Sequence, residues 1–190
     1  MSLIIEGEFI EARKYLSFER TVNYEADSPF LHNEIVLLGS KVEIAMKKMI
    51  FYANDDNKFR ASDISDYKHA LLTICSDLEK YETKLINNDL KFIPFSNWSS
   101  NKLQWWDAYS SIKHGSSRLA KLEHALNLLS AYQILLLIIH VMQSKEANED
   151  KVFYTFAEMP KLLDPNFARE LYQSDELGFG YVFDNIRICM

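Results

Sequence analysis

A chain of 190 residues, 48% apolar and 25% charged, is long enough to bury one core without disulfide or metal staples. Its formal charge of -6 speaks against a uniformly basic, nucleic-acid-coating surface and leaves room only for a local basic site. With 4 Pro and 5 Gly it favours long regular elements, and its 2 Cys, Cys75 and Cys189, form no disulfide framework, so a reducing cytoplasmic setting is expected.

The first residues, Met1 to Glu6, lack the positive charge and apolar core of a secretion signal. Residues 3 to 27 suit either a short helix, through Phe9, Ala12, Leu16 and Glu19, or an irregular arm. Ser28-Pro29 then gives an N-cap followed by proline at the first helical position, where its missing N–H costs nothing. Ile35, Leu38, Val42, Ala45, Met49 and Tyr52 follow in steps of three and four, which predicts a helix to about Tyr52. Asn54 to Asn57 reads as a polar turn.

A second helix is predicted from a cap at Ser62 or Ser65, with Tyr67, Leu71, Ile74, Leu78, Tyr81 and Leu85 as its stripe. The two stripes read as an antiparallel helical hairpin. Residues 90 to 100 contain Pro94 and cannot be a regular helix, yet Phe92, Ile93, Phe95 and Trp98 are too apolar for water. They read as a connection pressed over the core. A third helix is expected from about Asn101 to His114, with Gly115 suited to the left-handed position after it. The fourth runs from a cap at Ser116 or Ser117 to about Lys145, and is apolar all round from Ile134 to Ile139. Ala125 to Met142 is about as long as a short membrane span, but Asn127, Ser130, Gln133 and His140 interrupt it, so a buried helix and no membrane are expected. Val152 to Phe156 reads as a short strand or extended segment, and Asn166 to Tyr172 as a short helix. The expected fold is all-α: a single domain forming a four-helix up-and-down bundle over about 28–145, with an N-terminal arm and a C-terminal appendage over about 150–190.

Chemically capable groups concentrate between Trp105 and Gly115, with Arg118 close behind. On a helix Asp107, Ser110, Ser111 and His114 share one side, and Trp105, Tyr109 and Lys113 a neighbouring one. Asp107 and His114 stand roughly 10 Å apart along the axis, too far for an acid–base dyad but placed to touch successive groups of a ligand. An imidazole beside Lys113 and Arg118 suits a phosphodiester, one group moving protons while the others hold anionic oxygens. Lys102 and Lys121 flank the stretch and make it locally basic. The bland reading stands beside this one: the indoles and Tyr109 pack a core or interface, His114 locks the turn, and Lys113 and Arg118 serve a helix junction. His32, His69, His124 and His140 read as structural or surface residues. No zinc-site spacing, Gly-rich phosphate loop, dinucleotide fingerprint or nucleophile elbow is present, so neither metal nor cofactor is expected.

The pattern Trp105-Trp106-x-x-Tyr109-x-x-x-Lys113-His114, with Pro94-Phe95-x-x-Trp98 upstream, resembles a group of small bacterial helical proteins similar to the HEPN superfamily. The resemblance covers about residues 28 to 145. It implies a metal-independent endoribonuclease of a toxin–antitoxin, phage-defence or CRISPR setting, dimerising so that two Arg-x(4–6)-His motifs share one cleft. His114 would be the general acid or base for attack of a ribose 2′-hydroxyl, with Lys113 and Arg118 stabilising the charge on phosphorus. Asp107, Tyr109, Ser110, Ser111, Lys102 and Lys121 would contact substrate. The arginine should stand at Asp107, Ala108 or Tyr109, and none of these is Arg. Two functions are therefore expected in competition: an RNA-cleaving or RNA-binding homodimer, and a non-catalytic helical protein that oligomerises or binds a partner protein.

Overall fold

A computed structural model describes residues 28–54, 61, 63–86, 89–115, 120–146, 152–156, 163–165, 170–174 and 178–183, together with Gly7. The chain is mostly helical. Helix α1 spans Pro29–Asn54, α2 Ile64–Ile74, α3 Gln104–Lys113 and α4 Leu122–Glu146. The Ser28 hydroxyl accepts the Leu31 N–H at 3.2 Å, so the expected cap of α1 forms. Leu31, Ile35, Leu38, Val42, Met46 and Met49 line its buried side. Against this side lies α4, whose described residues are almost all buried from Leu122 to Met142. The segment Leu122–Gln143 is the one described stretch long and apolar enough to cross a membrane, and 83% of its apolar window lies inside the protein.

The two long helices run the same way. Lys41 sits over the Tyr132 ring at 6.0 Å, and Gln143 Nε2 donates to the Tyr52 hydroxyl at 2.6 Å, an equal step along both. An up-and-down bundle would set its first and fourth helices opposed, so that expectation is corrected. The physical reason lies between α2 and α3, where helix was expected to continue and does not. Helix α2 is capped by Asp63, neither Ser62 nor Ser65, in a reciprocal box with Asp66, and it ends at Ile74 with Cys75 extended. Leu78–Lys80 is a single 3₁₀ turn, and Thr83–Leu85 is strand β1, paired antiparallel to β2 at Lys91–Phe92. Leu78, Tyr81 and Leu85 are buried as their spacing predicted, but a turn and a strand bury them. The buried Thr83 hydroxyl donates to Ser130 Oγ at 2.8 Å, a bond that fixes the strand on α4.

The connection expected over 90–100 folds onto the core with Phe92, Phe95 and Trp98 buried, but Lys91–Phe92 is strand β2 and Ile93 stays 39% exposed. Helix α4 begins at Leu122, with Ala120 and Lys121 before it non-helical; Ser116 and Ser117 lie outside the described residues. Strand β3 spans Val152–Phe156, β4 Leu163–Pro165, β5 Glu170–Ser174 and β6 Gly178–Phe183. Strand β4 joins the first sheet, in the order β2–β1–β4, with Leu85 opposite Leu163. Gln133 Nε2 donates to the Leu163 carbonyl at 3.2 Å, so the C-terminal part is tied to the core helix. A second antiparallel sheet has the order β3–β6–β5, and Leu171 pairs with Tyr181. The short helix expected over 166–172 is therefore a strand from Glu170 on, its backbone groups spent on β6; residues 166–169 and the expected arm over 3–27, apart from Gly7, lie outside the described residues.

Candidate functional site

Helix α3 positions the motif. Trp105 is 3% exposed, and its Nε1 donates to the Pro94 carbonyl at 2.6 Å while Phe95 meets its ring edge-on at 5.7 Å. A buried indole whose one donor is used inside the fold is scaffold. Trp106 is half-buried between Tyr67, at 6.2 Å, and Tyr109, at 5.3 Å between ring centroids. Tyr109 itself is 2% exposed and lies against Gly39 of α1 so closely that a methyl group there would fall inside its ring. The glycine is thus what lets α3 approach α1.

The Tyr109 hydroxyl is the hub of a polar network. It donates to Glu43 Oε2 at 3.1 Å, receives a hydrogen bond from Lys113 Nζ at 3.1 Å, and stands 3.4 Å from Ser40 Oγ. The Lys113 ammonium is also 3.5 Å from Glu43 Oε2 and over the Tyr109 ring at 5.2 Å. Lys47 bonds the other oxygen of Glu43 at 2.8 Å. Burial pushes the Glu43 carboxyl up, but hydrogen bonds from Lys47 and Tyr109 and the charges of Lys47 and Lys113 outweigh it, and the group lies below the ordinary carboxylate value. The hydrogen bond to Tyr109, reinforced by Glu43, holds Lys113 above the ordinary lysine value. Burial holds the Tyr67 phenol up.

His114 follows as the C-cap, exposed, with its backbone N–H donated to the Ser110 carbonyl. Gly115 takes the left-handed conformation at φ 90° that ends the helix, as its sequence position predicted. Asp107, Tyr109, Ser110, Lys113 and His114 together line a cleft of about 420 Å³, joined by Glu43 from α1 and by Asp63 and Tyr67 of the second helix and its cap. Asp107 and His114 therefore face one cavity without forming a dyad, as the helical spacing predicted. Carboxylates of Glu43, Asp63 and Asp107 stand in it against the one ammonium of Lys113 among the described lining residues. Ser111 is half-buried and does not line it.

The remaining predicted residues go elsewhere. Lys102 lines a separate cleft of about 520 Å³ at the other end of α3, with Gln104, Glu123, His124 and Asn127. Lys121 is half-buried before α4, and Arg118 lies outside the described residues. The sequence reading missed Glu43, Asp63 and Tyr67, because they come from other helices and no local spacing joins them to the motif. Only Glu43–Lys47, four apart on α1, carried a local sign of a paired carboxylate. Among the described residues no group of three or more His, Cys, Asp or Glu side chains is placed to hold a metal ion. Compared with known protein families, with curated proteins and with solved structures, the chain has no significant match.

Proposed function

We propose that this chain is a non-catalytic helical interaction protein, HEPN-like in the aromatic motif of its third helix, in which the nuclease site has been lost. One observation carries the reading. The Lys113 ammonium, neighbour of the histidine, is drawn at the surface onto Glu43 and Tyr109, in a cleft that also holds Asp63 and Asp107. A phosphodiester entering there meets more carboxylates than cations, and the charge that would stabilise its transition state is already compensated. The absence of arginine at positions 107 to 109 points the same way.

A second reading, a metal-independent endoribonuclease or RNA-binding protein of a bacterial defence or toxin module, draws on the placement of His114. That imidazole is exposed at a helix end, on the same cleft as Ser110 and Asp107. In this reading the protein is a cytoplasmic homodimer, and Arg118 supplies the charge Lys113 does not. The deciding experiment incubates the purified chain with labelled RNA in EDTA beside His114→Ala. The interaction reading expects no cleavage and no RNA retention by either folded protein. Cleavage by the wild type that His114→Ala abolishes overturns it.

A further inference from the structure

Helix α1 is apolar on two sides. One side is the core face; the other carries Leu37, 41% exposed, and Ile44, 64% exposed. Phe51, half-buried, continues the same seven-residue step, whereas Phe30 at the other end packs against the core. Residues seven apart drift by only about 20° on an α-helix, so Leu37, Ile44 and Phe51 form one outer stripe along α1. A large aliphatic side chain that is two-thirds in water is unremarkable alone; three apolar positions at a seven-residue spacing form a seam against which a helix can pack.

The charges beside the stripe define its partner. Lys41 and Lys48 lie on its α4 edge, the first over the Tyr132 ring at 6.0 Å and the second over the Tyr52 ring at 5.6 Å. Asn33, Ser40 and Lys47 occupy the opposite edge, where the Lys47 ammonium is spent on Glu43. Glu43 is taken up by Lys47 and Lys113, so it does not offset the two lysines at the surface. A cationic edge along an apolar seam, on a chain of net charge -6, is a local inversion of the protein's own sign.

Resting on the reading of the chain as an interaction protein, we propose that the outer stripe of α1 docks an amphipathic helix of a partner protein. That helix would present apolar residues at heptad spacing and acidic residues along the edge facing Lys41 and Lys48. Its apolar side chains lie over Leu37 and Ile44, and its carboxylates meet the two ammoniums. A second copy of this chain is the poorer occupant. Parallel pairing of two α1 helices sets Lys41 and Lys48 against their own kind, and antiparallel pairing of Leu37 with Ile44 brings both Lys41 side chains to the two-fold axis.

The test titrates the full chain into two labelled, hydrocarbon-stapled helical peptides with leucine at heptad positions, one flanked by glutamate and one by lysine, read by fluorescence anisotropy. The glutamate peptide is expected to bind about tenfold or more tightly than the lysine peptide, with the gap closing as salt rises. Ile44→Glu weakens that binding about tenfold or more, and its melting temperature stays near wild type because the side chain is exposed. The double variant Lys41→Glu/Lys48→Glu reverses the preference between the peptides, a readout that does not depend on tolerance of Ile44→Glu. Equal binding of both peptides, or binding of neither, overturns the proposal. So does sedimentation showing a dimer of the free chain that Ile44→Glu dissociates. RNA cleavage sensitive to His114→Ala would remove the non-catalytic reading without touching the peptide result, whereas failed peptide binding with no cleavage removes the docking surface alone.

Discussion

Helices α1 and α4 are the two longest among the described residues and run side by side, yet they meet different surroundings. Around α4 nearly every described side chain from Leu122 to Met142 is buried, under α1, α3 and the β1–β4 strands. Around α1 only the core side is sealed in that way. Its α3-facing side holds the Glu43–Tyr109–Lys113 network, and its outer side holds Leu37 and Ile44 in solvent. Both helices read as strongly apolar, so apolarity alone does not tell a helix that is finished from one that still has a face to cover. What separates them is whether the rest of the chain supplies a lid.

The largest effect that tests this contrast comes from truncating each helix at its apolar centre. Ile138 on α4 is 0% exposed, and Ile138→Ala is expected to cost about 2–5 kcal/mol, the transfer term plus the cavity left behind. Ile44→Ala, at 64% exposure on α1, is expected to cost under about 0.5 kcal/mol. Chemical denaturation of the two variants measures both. Comparable losses would mean that Ile44 is covered in solution, and the outer stripe would not be an open surface.

Next in size is Gly39→Ala, at a place where α1 lets a side chain of α3 touch its backbone. The new methyl group overlaps the Tyr109 ring, so α3 must withdraw or the ring must rotate, at about 1–3 kcal/mol of overpacking. Tyr109 then leaves Glu43 and Lys113, and the salt sensitivity of the melting temperature changes with it. A Gly39→Ala protein as stable as wild type would show that the close approach is not maintained, and with it the cleft.

Much of the fold was legible because it rests on local signals. The Ser28-Pro29 cap, the buried face of α1, the turn-forming run through Pro94 and the left-handed Gly115 each follow from a few adjacent residues. Residues 75 to 85 were misread for a physical reason: Leu78, Tyr81 and Leu85 are spaced for a helical stripe, and a 3₁₀ turn followed by a strand buries the same side chains. The deciding terms were long-range, namely the Thr83–Ser130 hydrogen bond and the pairing of β1 with β2 and β4. The site shows the same division. Its α3 half, from Asp107 to His114, was visible as a helical face. Glu43, Asp63 and Tyr67 were not, since sequence patterning gives no register between helices, and the carboxylates of Glu43 and Asp63 turn a basic stretch into a predominantly acidic cleft.

The smallest effect is also the most specific, because it concerns charge and not packing on the α3-facing side of α1. Glu43 titrates below the ordinary carboxylate value of 4.5, held there by Lys47, Tyr109 and Lys113 against the opposing effect of its own burial. A lowered carboxyl contributes stability that is complete above the unfolded value and fades as pH falls through the folded one, so the loss begins below about pH 4.5. Lys113 and Lys47 titrate above the ordinary value of 10.5, and their share is present below that pH and fades as pH rises through the higher folded values. Because these groups are largely solvent-accessible, screening keeps the effect small. Glu43→Gln keeps the shape and removes the charge, so wild type should melt higher at pH 7 and the gap between the two proteins should shrink as pH falls from 4.5 toward 3. A gap of the same size at both pH values would mean that Glu43 works by packing, and that the Lys113 ammonium is not held by its charge.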